Sequence, residues 1–407
     1  MHKTTARPQK FFGRFKKPLI PTPNFVEPQL ESFKMLIEKG LKEVFEEFSS
    51  IKDFSGKKFT LDFTGFELSE PKYDEYYAKD NKLSYEAPLK ARVRLKNHIL
   101  GTEKEQEIFM ADFPLMTSHG TFIISGIERI IVPQLARSYG VFFTATEIKG
   151  RNFFGAKIIP SRGAWIEIES DSEGVISVRI DRKRKFAGTT LLRVLGVKDD
   201  EAIKKLFDGD EFGKASIEKT LLKDHTKTVD EAYIDIHKRL RDGDLATAEN
   251  AKEFVNSIFD PERYDLSPVG RHRFNKRFNL DMSEKELKRK TVSVSDVVAI
   301  ISHVAMLNNT PNAMPDDIDH LGSRRVRFVG ELFQQNIRKG IAQIKRNIQN
   351  KMSTIETDVT LPVQFVAPRP LQARIKEFFT TNQLSQFMLQ ENPLAEIEHL
   401  RTLSAMG

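Results

Sequence analysis

The run "PDDIDHLGSRRVRFVGE" at 315–331 sets Asp316, Asp317, Asp319 and His320 close together and follows them with Arg324, Arg325 and Arg327. Three chemistries use such groups. Carboxylates and an imidazole at this density could ligate a divalent metal, although three guanidiniums a few residues on would repel it. Carboxylates ahead of a helix stabilise its positive end and pair with its arginines. An Asp can also accept from the amino or imino donors of a base while arginines hold phosphate or base edges. "SRGAW" at 161–165 carries the only tryptophan, Trp165, beside Arg162. It reads either as a core residue or as a platform on which a base stacks. "RIDRKRK" at 179–185 has five cations in seven residues. It reads as a solvated turn or as a phosphate contact, which would add roughly one unit of salt dependence per contact.

"FDGDEFGKAS" at 207–216 imitates a phosphate loop, but its glycines are one residue too close and Ala215 stands where a hydroxyl is required. As an Asp-rich metal loop it lacks a third Asp, because position 206 is Leu. It reads as a loop between helices. No Ser-His-Asp set, nucleotide-cradling glycine loop or paired-carboxylate site stands out, so no catalytic residue is assigned.

The elements that must position these groups follow from periodicity. Helical spacing of Phe33, Leu36, Ile37, Leu41, Val44, Phe45 and Phe48 predicts a helix over about 28–48. Phe59, Leu61 and Phe63 alternate as in a strand. In "LKARVRLK" the residues Leu89, Ala91, Val93 and Leu95 face one way, and Lys90, Arg92, Arg94 and Lys96 the other. That puts four cations on one sheet face, either solvated or turned to a phosphate or an acidic partner. Helices are expected near 190, 228–241, 247–258, 283–289 and 293–307, with Thr247 and Ser293 as N-caps. A long helix is expected over about 322–352, its stripe being Val329, Phe333, Ile337, Ile341, Ile344, Ile348 and Met352. The first 25 residues read as an extended basic arm without the apolar core of a signal peptide.

The 407 residues, 30% charged and 39% hydrophobic, suffice for two or three cored domains. No apolar run is long enough to span a membrane. The absence of cysteine excludes disulfides, thiolate zinc sites and a cysteine nucleophile. A net charge of +7 permits a polyanionic partner without establishing one. The expected class is α+β and multidomain, with mixed sheets and helices.

Several long segments resemble the bacterial RNA polymerase beta subunit. They are "DFPLMTSHGTFIISGIERIIVPQLARSYGVFF", "AKIIPSRGAWIEIE", "VRIDRKRKFAGTTLLRVLG", "DPERYDLSPVGRHRFNKRF", "DDIDHLGSRRVRFVGE" and "KEFFTTNQLSQFMLQENPLAEIEHLRTLSAMG". They occur in the family's order and cover the chain from about Phe25 to Gly407. The resemblance implies a protrusion domain at 1–135 and 311–365, a lobe domain inserted at 136–310, and the start of a fork domain at 366–407. It implies one end of a longer subunit that is inactive alone. Together the protrusion and lobe would form one jaw of a DNA cleft.

By the same resemblance, Trp165 matches a tryptophan that stacks on a non-template base. Arg137, Ile318, Asp319 and Arg324 match a pocket for a flipped non-template guanine, with Arg327 among the nucleic-acid contacts. Val132, Gln134, Gln386, Phe387, Leu389, Asn392, His399, Arg401, Thr402 and Ser404 match the wall beside the early RNA–DNA hybrid, which is also the rifamycin pocket. Leu389 and Thr402 depart from the family's Asp and Arg there; Glu398 and Leu400 depart from Thr and a basic residue, and Pro133 and Tyr139 from Ser and Pro. No cofactor is expected in this chain, the Mg²⁺ being held by the beta-prime subunit. The implied partners are DNA, nascent RNA, the beta-prime, alpha and omega subunits, sigma factor and regulators on the protrusion and lobe. The implied location is the cytoplasm, at the nucleoid. A stand-alone nucleic-acid-binding protein built on the same jaw is the rival reading.

Overall fold

The computed structural model describes residues 23–148, 150–241, 247–355 and 361–406. Most of the basic arm, residues 1–22, lies outside the described residues. The fold is α+β, with several antiparallel sheets and many helices. It comprises two compact units, 1–136 with 326–407, and 137–325 inserted between them.

In the first unit, strands Phe59–Leu68, Glu86–Asn97 and Thr102–Pro114 pair antiparallel, with Ile51–Lys52 on the edge. Leu89, Ala91, Val93 and Leu95 are buried as their alternation requires. Their cationic neighbours meet carboxylates on adjacent strands: Lys90 with Glu107, Arg92 with Glu67, and Arg94 and Lys96 with Glu103. This face is a ladder of internal charge pairs, so the phosphate-facing reading has no support in the geometry.

The long helix runs Val329–Thr354 and buries the whole expected stripe. It begins at 329 rather than 322, because Arg324–Arg327 are extended. Its first turn has no cap of its own; Gly330 N donates instead to Ser32 Oγ at 3.0 Å. Phe333 packs among Phe113, Phe378 and Phe379 with ring centroids 5.0–5.2 Å apart. Phe378 and Phe379 belong to the Arg369–Thr380 helix. Within the first unit, residues 366–384 contribute Val366, Leu371, Ile375, Phe378, Phe379 and Leu384 to its core.

In the second unit, strands Gly140–Ile148, Arg151–Ile159, Ile166–Ser170, Ile176–Ile180 and Phe186–Ala187 form an antiparallel meander. Thr247 and Ser293 cap their helices as expected. In 207–216, Asp210 caps the Glu211–Lys223 helix by accepting from Gly213 N at 3.0 Å. The helices cover buried ions: Asp296 accepts from Arg271 and Arg289, both at 2.9 Å. The unit extends to Arg325, past the boundary of 310 set from sequence. Asp316 explains why. Its N donates to Phe143 O and its Oδ2 accepts from Phe143 N, each at 2.8 Å, stitching 311–325 to the sheet.

Candidate nucleic-acid interface

In the first unit two segments distant in sequence are joined by backbone bonds. Val132 N donates to Leu384 O at 2.8 Å, Leu135 N to Ser404 O at 2.8 Å, and Ser404 N to Pro133 O at 2.9 Å. Strand Ser385–Phe387 pairs with Ile127–Ile131, setting Phe387 opposite Arg129. The helix Pro393–Arg401 follows, its N-cap Asn392 accepting from Ala395 N at 2.8 Å. The sequence-predicted wall residues from 132–134 and 386–404 thus gather on one surface.

Their exposure differs. Val132 is buried with Ile130 and Leu400 and forms the support of the wall, not its face. Gln134 and His399 are also buried. His399 Nδ1 accepts from Leu389 N at 3.2 Å, and its Nε2 faces Gln386 Oε1 at 3.1 Å. Burial pushes its pKa below the ordinary histidine value. Gln386, Phe387, Leu389, Asn392, Arg401 and Thr402 are exposed. Arg401 donates to Phe25 O at 3.1 Å, and the Thr402 hydroxyl donates to Glu398 O at 3.0 Å.

Two wall residues escape sequence reading. Arg129 lies over the exposed Phe387 ring, 4.3 Å from its centroid. Glu128 accepts from Lys79 and Gln390, each at 2.8 Å, and its backbone O from Met388 N. Burial alone would raise the Glu128 carboxyl, but its hydrogen bonds from Lys79 and Thr121 hold it below the usual range. Neither residue carries a local signal, because strand register alone sets them against 387–390. Arg327 lies in this unit too, donating to Gln134 Oε1 at 2.9 Å and Glu331 Oε1 at 3.1 Å. It braces Gln134 from behind.

In the second unit one helix, Ser267–Phe278, locates the other predicted residues. Near its start, Arg162 and Asp265 exchange backbone bonds of 3.0 and 2.8 Å, fixing the loop that carries Trp165. In its first turn, Gly270 lies so close to Tyr139 that a Cβ would come within 3.0 Å of the Tyr139 Cβ. Further on, Arg273 donates to Gly322 O and Arg277 to Asp316, both at 2.8 Å. Ser138 N donates to Ser323 O at 3.0 Å, which sets Arg137 beside Arg324.

The acids of 316–320 do not cap the long helix or pair with its arginines. Asp316 turns to Arg277, and Asp317 accepts from the N–H groups of Asp319 and His320 at 3.0 and 3.1 Å. Ile318 is half-buried, and Asp319 is exposed with no carboxylate partner among the described residues. Arg137 is exposed, while Arg324 and Trp165 are half-buried. Among the described residues no three His, Asp or Glu side chains are grouped to hold a metal ion. What the two surfaces offer is aromatic faces, amides and guanidiniums, the groups that bind a nucleic acid without reacting with it.

Residues 137–327 match the family model described as RNA polymerase Rpb2, domain 2, nearly the extent of the inserted unit. The chain is 42% identical over 398 residues to the DNA-directed RNA polymerase subunit beta of Syntrophomonas wolfei, covering 97% of this chain and 35% of that relative. It is 44% identical over 400 residues to the subunit of the same name from Dehalococcoides mccartyi strain BAV1, covering 96% and 31%. The chain spans about a third of the length of the curated relatives it matches. Along nearly its whole length the chain is similar to DNA-directed RNA polymerase beta subunits, and its inserted unit matches RNA polymerase Rpb2, domain 2.

Proposed function

We propose that the chain acts in transcription as part of the beta subunit of a DNA-directed RNA polymerase, lining the nucleic-acid path. The first unit's wall meets the early RNA–DNA hybrid. In the second unit, Trp165 stacks on a non-template base, and Asp319 with Arg137 and Arg324 takes a flipped guanine. One observation carries the reading. Residues 132–134 and 384–404, some 250 positions apart, are bonded into one surface that presents Gln386, Phe387, Asn392 and Arg401 to solvent.

The partners are DNA, nascent RNA, the beta-prime, alpha and omega subunits, sigma factor and regulators, in the cytoplasm at the nucleoid. The Mg²⁺ that assists nucleotide joining is held by beta-prime. The described residues include no helix long and apolar enough to cross a membrane.

The test is a photo-crosslinking amino acid at position 387 or 165 of the chain, assembled into polymerase on a labelled transcription bubble. Position 387 is expected to label the hybrid and position 165 the non-template strand. Labelling of neither strand from either position overturns the reading.

A further inference from the structure

The turn after strand Ile176–Ile180 has two consecutive non-glycine residues in the left-handed region, Asp181 at φ +50° and Arg182 at φ +59°. Lys183 N closes the turn on Ile180 O at 3.0 Å, and Asp181 N donates to Trp165 O at 2.9 Å. The reversal carries the Arg182 guanidinium over the Trp165 indole, 5.6 Å from its centroid. The flanking cations Arg179 and Lys185 both turn to Glu169. Arg182 and Lys183 are exposed and have no carboxylate partner among the described residues.

The indole sits on a braced loop. Gly163 has φ +113°, and a Cβ there would lie 2.6 Å from the ring of the fully buried Tyr264. Arg182, by contrast, reaches over the indole from an exposed turn on a long, flexible stem. A base held between indole and guanidinium needs two contacts of ~3.5 Å, or roughly 7 Å. The observed 5.6 Å is about 1.4 Å short of that, so a base can enter only if the guanidinium moves outward.

On the reading of Trp165 as a base platform, we infer that Arg182 is the outer wall of the same site. It covers the indole face when the site is empty, and moves outward to stack on the far side of an unpaired DNA base when one enters. The base is then sandwiched between indole and guanidinium, which uses the π-faces of base and indole and the charge of the arginine.

The test uses polymerase assembled with the chain and a bubble carrying 2-aminopurine at the unpaired non-template position nearest the downstream duplex. Arg182→Asn removes the guanidinium with a residue that tolerates left-handed backbone. It is expected to weaken binding of the bubble about two- to fivefold, the range of an exposed cation–π contact, and to relieve part of the 2-aminopurine quenching. Arg182→Lys keeps the charge without the plane, and is expected to restore binding at low salt but not the quenching. Wild-type quenching and affinity in Arg182→Asn overturn the inference. So does tighter binding, which would mark Arg182 as a plug that the base displaces. If Trp165→Ala also changes nothing, the platform reading falls with it; if Trp165→Ala relieves quenching and Arg182→Asn does not, only the role of Arg182 falls.

Discussion

His399 Nε2 lies 3.1 Å from Gln386 Oε1, while its Nδ1 accepts the Leu389 N–H at 3.2 Å. Both bonds are made only by the neutral ring with its proton on Nε2, since an imidazolium has no acceptor. One side chain on the Pro393–Arg401 helix thus ties down a strand residue and the start of the following loop.

This arrangement predicts a pH dependence. Burial lowers the folded-state pKa of His399 below 6.5, so the unfolded chain binds the proton more readily. The stabilising contribution is therefore complete above pH 6.5 and is lost as the pH falls through and below that value. Histidine-labelled NMR should show His399 titrating below 6.5, with the Leu389 amide shifting at the same midpoint. A midpoint at or above 6.5 contradicts the tautomer and its role.

A second prediction concerns rifamycins. By the resemblance, Leu389 and Thr402 stand where the family pocket has a charged Asp and Arg, and both are exposed. A hydrogen bond to a charged group contributes about 1.5–3 kcal/mol, so one loss weakens drug binding about tenfold or more. A polymerase assembled with this chain should resist rifamycins while still making RNA. A Leu389→Asp, Thr402→Arg double variant should regain sensitivity in drug titration. Family-level sensitivity of the unmodified enzyme refutes this; unchanged resistance in the double variant moves the cause to Glu398 and Leu400.

The third tests base capture. The Asp319 carboxylate is exposed and without a partner among the described residues, which leaves it available to guanine N1 and N2 donors. Asp319→Ala in an assembled polymerase should lose about 1–3 kcal/mol of discrimination for guanine at one non-template position. Binding measured with all four bases there decides the matter, and a uniform loss points to a structural role.

A fourth concerns the core. Phe333 is fully buried among three phenylalanines from a strand and a second helix. Phe333→Ala should destabilise the first unit by about 3–5 kcal/mol. Urea unfolding followed by hydrogen exchange at the 329–354 amides measures it, and a loss below about 1 kcal/mol would place that ring outside the core.

Local periodicity was enough to determine much of this molecule. The stripe of the 329–354 helix, the buried side of the Glu86–Asn97 strand and the caps at Thr247 and Ser293 were all legible, because each depends on residues a few positions apart. Resemblance along the chain points to a wall built from 132–134 and 386–404, and backbone pairing brings those two segments together. Tertiary structure decided what depends on distant partners. The long helix starts at Val329 because Arg324–Arg327 are extended, and its uncapped first turn is met by the distant Ser32, which no nearby residue announces. Asp316 belongs to the inserted unit because Phe143 and Arg277 claim it. Arg327 turned out to brace Gln134, and the cations of 90–96 to meet carboxylates on the neighbouring strands. A charge in a sequence shows its sign and its side of a strand; the counter-charge that claims it depends on strand register and loop closure across tens to hundreds of residues, which no local pattern encodes.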